Sequence, residues 1–327
     1  MTVSHNPDRP TVRFPLLAGI VWSLLSLGSG CVEPFDPSSV LDDSFQVLAI
    51  RAQPRSVAPG GALEFDTIEY LPPNAPTDPE QLWVVCLPQK GEGPQACLGA
   101  ALGEIGESIA RCSELCAQDP DPDACGEHCS GQALEGLLCP QEESMRACIA
   151  GYGPLARYEL PTWFSQERFF AFLLASVKPD GLQGCFDQWA ASNSGFPAPT
   201  SECTISFKRV SVAAPDDLVA SNPTVASVTL GAQTSRGEPL SLRPADLDAN
   251  GRSVSLQTTT DAEADSYVSW FTNCGPLEHS RTFGPTGDNR LTIADNAPCS
   301  LFVVVRDTTY GVGWLQIDID PTGIDIP

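Results

Sequence analysis

Three kinds of side-chain chemistry are open to this chain: nucleophilic catalysis through histidine, acid–base work by paired carboxylates, and sulfur or metal chemistry at its thirteen cysteines. Histidine is scarce. His5 lies in the N-terminal leader, so a Ser-His-Asp or Cys-His site would have to use His128 or His279. Neither sits in a recognisable nucleophile context, and no GxSxG, HExxH or Walker A run occurs. Paired carboxylates leave no local signature, so a glycan-active hydrolase is carried as an alternative. Forty-one acidic residues make any one pair uninformative. No catalytic residue and no cofactor is assigned. Asp246-Leu-Asp248-Ala-Asn250-Gly251 matches the first half of a calcium loop, with oxygen ligands at alternate positions and then a glycine. The last position of such a loop is Gln257, which lacks the bidentate carboxylate. Asn250-Gly251 between apolar runs is also a hairpin turn, and a turn without metal is the expected reading. A calcium-dependent adhesin using Asp246, Asp248 and Asn250 is the further alternative.

The cysteines say more. An odd number in an exported chain leaves one thiol unpaired. Arg9 and Arg13 precede an apolar run, Phe14 to Leu27, that is too short to span a bilayer and suits a cleavable leader. Leu27-Gly28-Ser29-Gly30 then leads into Cys31. This junction resembles the bacterial lipoprotein signal. The resemblance implies that the thiol of Cys31 receives a diacylglycerol and that cleavage falls just before it. Several acyl chains hold a protein stably on a membrane where one would not. Val32 follows, where an acidic residue would imply inner-membrane retention, so the expected address is the outer membrane, on its periplasmic face or the cell surface. Assigning Cys31 to lipid leaves twelve cysteines for disulfides, which an oxidising compartment permits.

Cys274 and Cys299 are alone in the last third and must pair if that third folds independently. Cys185 and Cys203 flank a Pro/Ser/Gly loop and form another candidate pair. Cys86, Cys97, Cys139 and Cys148 are left without assignment. Cys112, Cys116, Cys125 and Cys129 follow a CxxxC…CxxxC rhythm, which puts each pair on one helix face. The pattern resembles the α-hairpin unit stapled by two CxxxC pairs, which implies Cys112–Cys129 and Cys116–Cys125. Zinc is the competing reading, since His128 adjoins Cys129. Zinc turns favour CxxC spacing, and export favours oxidation, so disulfides are preferred and His128 is an exposed helix residue.

The elements that would position these groups are mostly strands. Thirty prolines and twenty-seven glycines point to a turn-rich β protein. The net charge of −23 repels phosphate backbones, which argues against nucleic-acid partners, and disfavours adsorption to anionic lipid. Residues 1–30 read as the signal and 31–44 as a tether. Residues 45–212 read as one β module, interrupted at about 95–150 by a cysteine-rich helical insertion. Residues 213–222 read as a linker and 223–320 as a second β module. Within the first module Leu63, Phe65, Thr67 and Glu69 alternate with Glu64, Asp66, Ile68 and Tyr70. The phrase AIRAQPRSVAPGGALEF resembles the opening strands of bacterial immunoglobulin-like domains, and Trp270 matches the tryptophan such domains bury on the third strand. The layout resembles lipoproteins of myxobacteria and related δ-proteobacteria that join a lipobox to immunoglobulin-like modules and cysteine-rich insertions. The expectation is therefore a mainly β chain of two immunoglobulin-like sandwiches. It would be held to a membrane through Cys31 and would meet a protein or glycan partner in a binding or envelope-structural role.

Overall fold

The computed structural model describes residues 40–75, 78–99, 103, 138–139, 146–182, 184–185, 200–214, 221–322 and 324. The first eight strands are β1 (Gln46–Gln53), β2 (Ser56–Val57), β3 (Ala62–Tyr70), β4 (Glu80–Cys86), β5 (Ala147–Tyr152), β6 (Leu155–Glu159), β7 (Arg168–Ser176) and β8 (Cys203–Val212). They form two sheets, ordered β1-β3-β6 and β2-β8-β7-β4-β5. Alternation explains the core. Leu63 and Phe65 of β3 face inward, as do Trp83 and Val85 of β4 and Phe169, Ala171 and Leu173 of β7. Pro54 cannot donate to a ladder, and the chain leaves the first sheet beside it. It rejoins the second sheet as β2, parallel to β8.

The second body repeats that plan. Its strands are β9 (Val225–Leu230), β10 (Gln233–Ser235), β11 (Leu240–Ser241), β12 (Ser253–Thr260), β13 (Tyr267–Thr272), β14 (Arg281–Phe283), β15 (Thr286–Thr292), β16 (Cys299–Arg306) and β17 (Val312–Asp320). The sheets run β10-β9-β12-β15 and β11-β17-β16-β13-β14. Again the opening segment serves both sheets: β9 pairs with β12, and β11 runs parallel to the last strand, β17. An opening strand shared between two facing antiparallel sheets is the immunoglobulin-like arrangement. The chain is therefore mainly β, with two such sandwiches.

Two expectations need correction. The helical insertion does not extend to residue 150, because Ala147–Tyr152 is strand β5, paired with β4. Small apolar residues there satisfy a ladder as readily as a helix, and the sheet edge offered by β4 decides. The tether read at 31–44 joins the folded body before its end, because Leu41 is buried in one apolar cluster with Phe271 and Phe302 and donates to Thr272 O at 2.9 Å.

The sandwiches are also packed on each other. Leu48, Ala49, Ile68 and Tyr70, on the outer face of β1 and β3, form one buried apolar layer with Phe271, Phe302, Val304 and Val312. Around it Arg51 lies 4.1 Å over the Trp314 ring while bonding Asp66, and Arg55 pairs with Asp307. Arg306 donates to the Leu48 carbonyl at 2.8 Å, and Lys208 donates to that of Tyr310. The linker expected at 213–222 is described at both ends. At its far end Asn222 bonds both bodies, donating to Ala52 O at 2.7 Å and accepting from Val312 N at 3.0 Å.

Among the described residues four disulfides fasten these sheets: Cys86–Cys97, Cys139–Cys148, Cys185–Cys203 and Cys274–Cys299. The last closes a separation of 25 residues. Replacing both of its cysteines by serine should lower stability by about 3 kcal/mol, from the chain entropy returned to the unfolded state. A shift in denaturant midpoint measures it, and an unchanged midpoint would contradict the estimate.

Candidate functional site

The acidic turn after β11 is built around two carboxylates that serve the backbone. Asp246 is buried. Its side chain accepts from Gln233 Nε2 at 2.7 Å, Arg243 N at 3.0 Å and Ala232 N at 3.4 Å. Burial alone would raise its pKa, but these donors outweigh it and hold the carboxyl below its ordinary value. Gly231, with φ of +57°, closes against it, and a β-carbon there would lie 2.8 Å from Asp246 Cβ. Asp248 Oδ1 accepts from the N–H groups of Asn250, Arg252 and Ser253 at 3.2–3.3 Å, which folds the Asn250-Gly251 turn beneath it and likewise lowers its pKa. The two carboxylates thus bind separate sets of N–H donors. Among the described residues no group of three or more His, Cys, Asp or Glu side chains is placed to hold a metal ion. Added calcium should leave the thermal midpoint unchanged, whereas Asp248→Ala should lower it with or without calcium. Stabilisation that saturates with calcium would reverse this assignment.

His279 is exposed, and its imidazole lies 3.9 Å from the Glu278 carboxylate. Its backbone is held on both sides by the Asn289 side chain, which accepts from His279 N at 3.0 Å and donates to His279 O at 2.7 Å. His128, Cys31 and the expected pairs Cys112–Cys129 and Cys116–Cys125 lie outside the described residues. The structure joins Cys185 to Cys203 and Cys274 to Cys299. It also pairs the four cysteines that sequence left open, Cys86 with Cys97 and Cys139 with Cys148.

Those last two bridges form the neck of the insertion. Cys86 and Ala147 are partners in the β4–β5 ladder, as are Val85 and Cys148. The chain therefore leaves β4 and enters β5 at facing positions, with a disulfide on each limb. Leu87 N donates to Arg146 O at 2.7 Å, and Arg146 pairs with Glu92 across the same gap.

One half-buried acid belongs to no motif. Glu69 sits on the inward-facing register of β3 and accepts from Thr67 Oγ1 and from Gln81 Nε2 of the opposite sheet. Desolvation raises its pKa above the ordinary 4.5, against those two hydrogen bonds. The ionised form is thus disfavoured in the folded state. This site's contribution to stability is greatest below pH 4.5 and falls as pH rises through the raised folded-state value. Glu69→Gln keeps an acceptor oxygen and removes the ionisation. It should gain on the wild type at pH 7 relative to pH 4 in urea unfolding. The same difference at both pH values would refute the linkage. The alternation of Leu63, Phe65, Thr67 and Glu69 is the sequence signal that locates it.

No helix among the described residues is long and apolar enough to cross a membrane. No family model matches the chain, and no curated protein matches it. Solved structures with local similarity include a conjugative transposon lipoprotein from Bacteroides eggerthii, 14% identical over 31% of this chain and 98% of that one, with a TM-score of 0.23. Fibronectin(III)-like modules of Clostridium thermocellum CbhA are 8% identical over 85% of this chain and 98% of theirs, with a TM-score of 0.22. A membrane-anchored protein from Corynebacterium diphtheriae is 9% identical over 83% and 53%, with a TM-score of 0.18. Superpositions this loose set neither family nor function, and the fold rests on the sheet topology itself.

Proposed function

We propose that this chain is a lipoprotein held to the outer membrane through acylated Cys31, whose paired sandwiches work outside the cytoplasm in binding or envelope architecture without catalysis. The observation that carries the reading is sulfur chemistry. Every cysteine among the described residues is in a disulfide, and each disulfide has one cysteine in a strand: Cys86, Cys148, Cys203 or Cys299. Such bridges belong to an exported chain, because cytosolic thiols are kept reduced. Setting Cys31 aside for lipid makes the remaining count even. The strong negative charge makes a covalent anchor the effective route to an anionic membrane surface.

Intact mass of the membrane-extracted protein, before and after reduction, tests the anchor and the bridges together. The expected chain begins at Cys31, carries acyl mass, and gains two hydrogens for each of six bridges. A water-soluble chain with unmodified Cys31, or one rich in free thiols, would overturn the proposal.

A further inference from the structure

Beside the insertion neck, two short segments line a half-open cavity of about 410 Å³. One wall is the Pro88–Gly91 stretch leaving β4, and the other is the Ser165–Arg168 stretch entering β7. Both walls are fixed. Gln89 N donates to Glu92 Oε2 at 2.9 Å, and Glu92 is itself held by Arg146. The Cys86–Cys97 disulfide closes the base of that segment. Opposite, the Glu167 carbonyl accepts from Val212 N at 2.8 Å, and Arg168 is paired with Ser211 in the β7–β8 ladder. Phe164, just before the second wall, is anchored edge-on to Phe169 in the core.

The lining is polar, and its charge runs against that of the molecule. The chain carries 41 acids against 18 bases, and several described cations are taken up by carboxylates: Arg51 with Asp66, Arg55 with Asp307, Arg146 with Glu92, Arg243 with Asp246, Arg290 with Glu278. Among the described residues neither Lys90 nor Arg168 has a carboxylate within ion-pair distance, yet both line this one cavity, with Glu167 as its single acid. Gln89, Ser165 and Gln166 add neutral donors and acceptors. Two cations supply what a carboxylate needs, and an arginine fork suits its planar geometry. The amides, the hydroxyl and Glu167 supply the mixed partners that sugar hydroxyls need. A cavity of this size falls in the range of small-molecule sites, roughly 300–1,000 Å³.

We infer that this cavity binds an acidic sugar, its carboxylate held by Lys90 and Arg168 and its hydroxyls by Gln89, Ser165, Gln166 and Glu167. The inference deepens the binding role proposed above and rests on it. It is separable from the anchor, because binding is read on purified protein whatever the state of Cys31.

Calorimetric titration of the detergent-solubilised full chain with glucuronate, glucose and inorganic phosphate tests it. Glucuronate should bind saturably, at least about tenfold more tightly than glucose or phosphate, and should weaken as salt is raised. Lys90→Gln, on an exposed turn, should weaken glucuronate about tenfold without moving the thermal midpoint. Arg168→Gln should weaken it at least as much. Lys90→Glu should abolish binding and guards against any folding defect in the arginine variant. Failure of glucuronate to saturate, equal affinity for glucose, equal affinity for phosphate, or indifference to Lys90→Glu would each overturn the inference. None of these results would alter the acylation measured by mass.

Discussion

Trp270→Ala should lower the free energy of unfolding by about 3–5 kcal/mol, the range for emptying a large aromatic site in a core. Trp270 is fully buried at the centre of β13, among Val228, Leu256, Leu291 and Val303. Its indole N–H donates to Thr282 Oγ1 at 2.9 Å, so truncation removes that bond as well as the ring. Trp83 holds the equivalent place on β4 of the first sandwich. It is fully buried, stacked on Phe65 at 5.5 Å between centroids, with its N–H on Gly153 O at 2.8 Å. Trp83→Ala should cost a similar amount. Guanidinium unfolding followed by far-ultraviolet dichroism is the measurement. A loss below about 1 kcal/mol at either position would mean that the ring is not the keystone its burial implies.

Val304→Asp should cost about 4 kcal/mol and should also change the form of unfolding. Val304 is fully buried on the face of β16 that meets Leu48, Ala49 and Ile68 of the other sandwich. A carboxylate there loses its water and finds an apolar wall opposite. Interfaces between domains of one chain are often small and polar, which leaves the domains free to move. This one has an apolar centre, with Arg51, Arg55, Arg306 and Lys208 around it. The wild type should therefore melt in one calorimetric transition, and Val304→Asp should split it into two. A single unshifted transition in the variant would show that the layer does not couple the sandwiches.

The strands and the sandwich class are legible in the sequence because alternation and turn residues are local signals. Trp270 is legible only through the resemblance to immunoglobulin-like domains, since its strand is buried on both faces. Trp83 sits in an almost uniformly apolar strand, where no alternation marks the inward face, because β4 is buried on both sides. The inter-sandwich layer is written in the sequence as Ile68 and Tyr70 alternating with Thr67 and Glu69. One strand cannot reveal that both its faces are covered. Cys86–Cys97 and Cys139–Cys148 could not be read, since connectivity depends on which strands become neighbours. The acidic turn shows the reverse failing. Asn250-Gly251 announces the turn, but the spacing of Asp246 and Asp248 also fits a metal loop, and only the positions of Ala232, Arg243 and Ser253 show which backbone donors meet their oxygens. The cavity beside the neck joins residues 88–91 to 165–168, a pairing that no local pattern announces.

The two limbs rooted at Cys86 and Cys148 have a consequence for wear outside the cell. A protease that cuts once between Cys97 and Cys139 leaves each stump tied to its own strand, Cys97 to Cys86 of β4 and Cys139 to Cys148 of β5, while the β4–β5 ladder rather than either disulfide holds the two halves together. For the same reason, segments of very different length could be grafted into that socket while β4 and β5 keep their register.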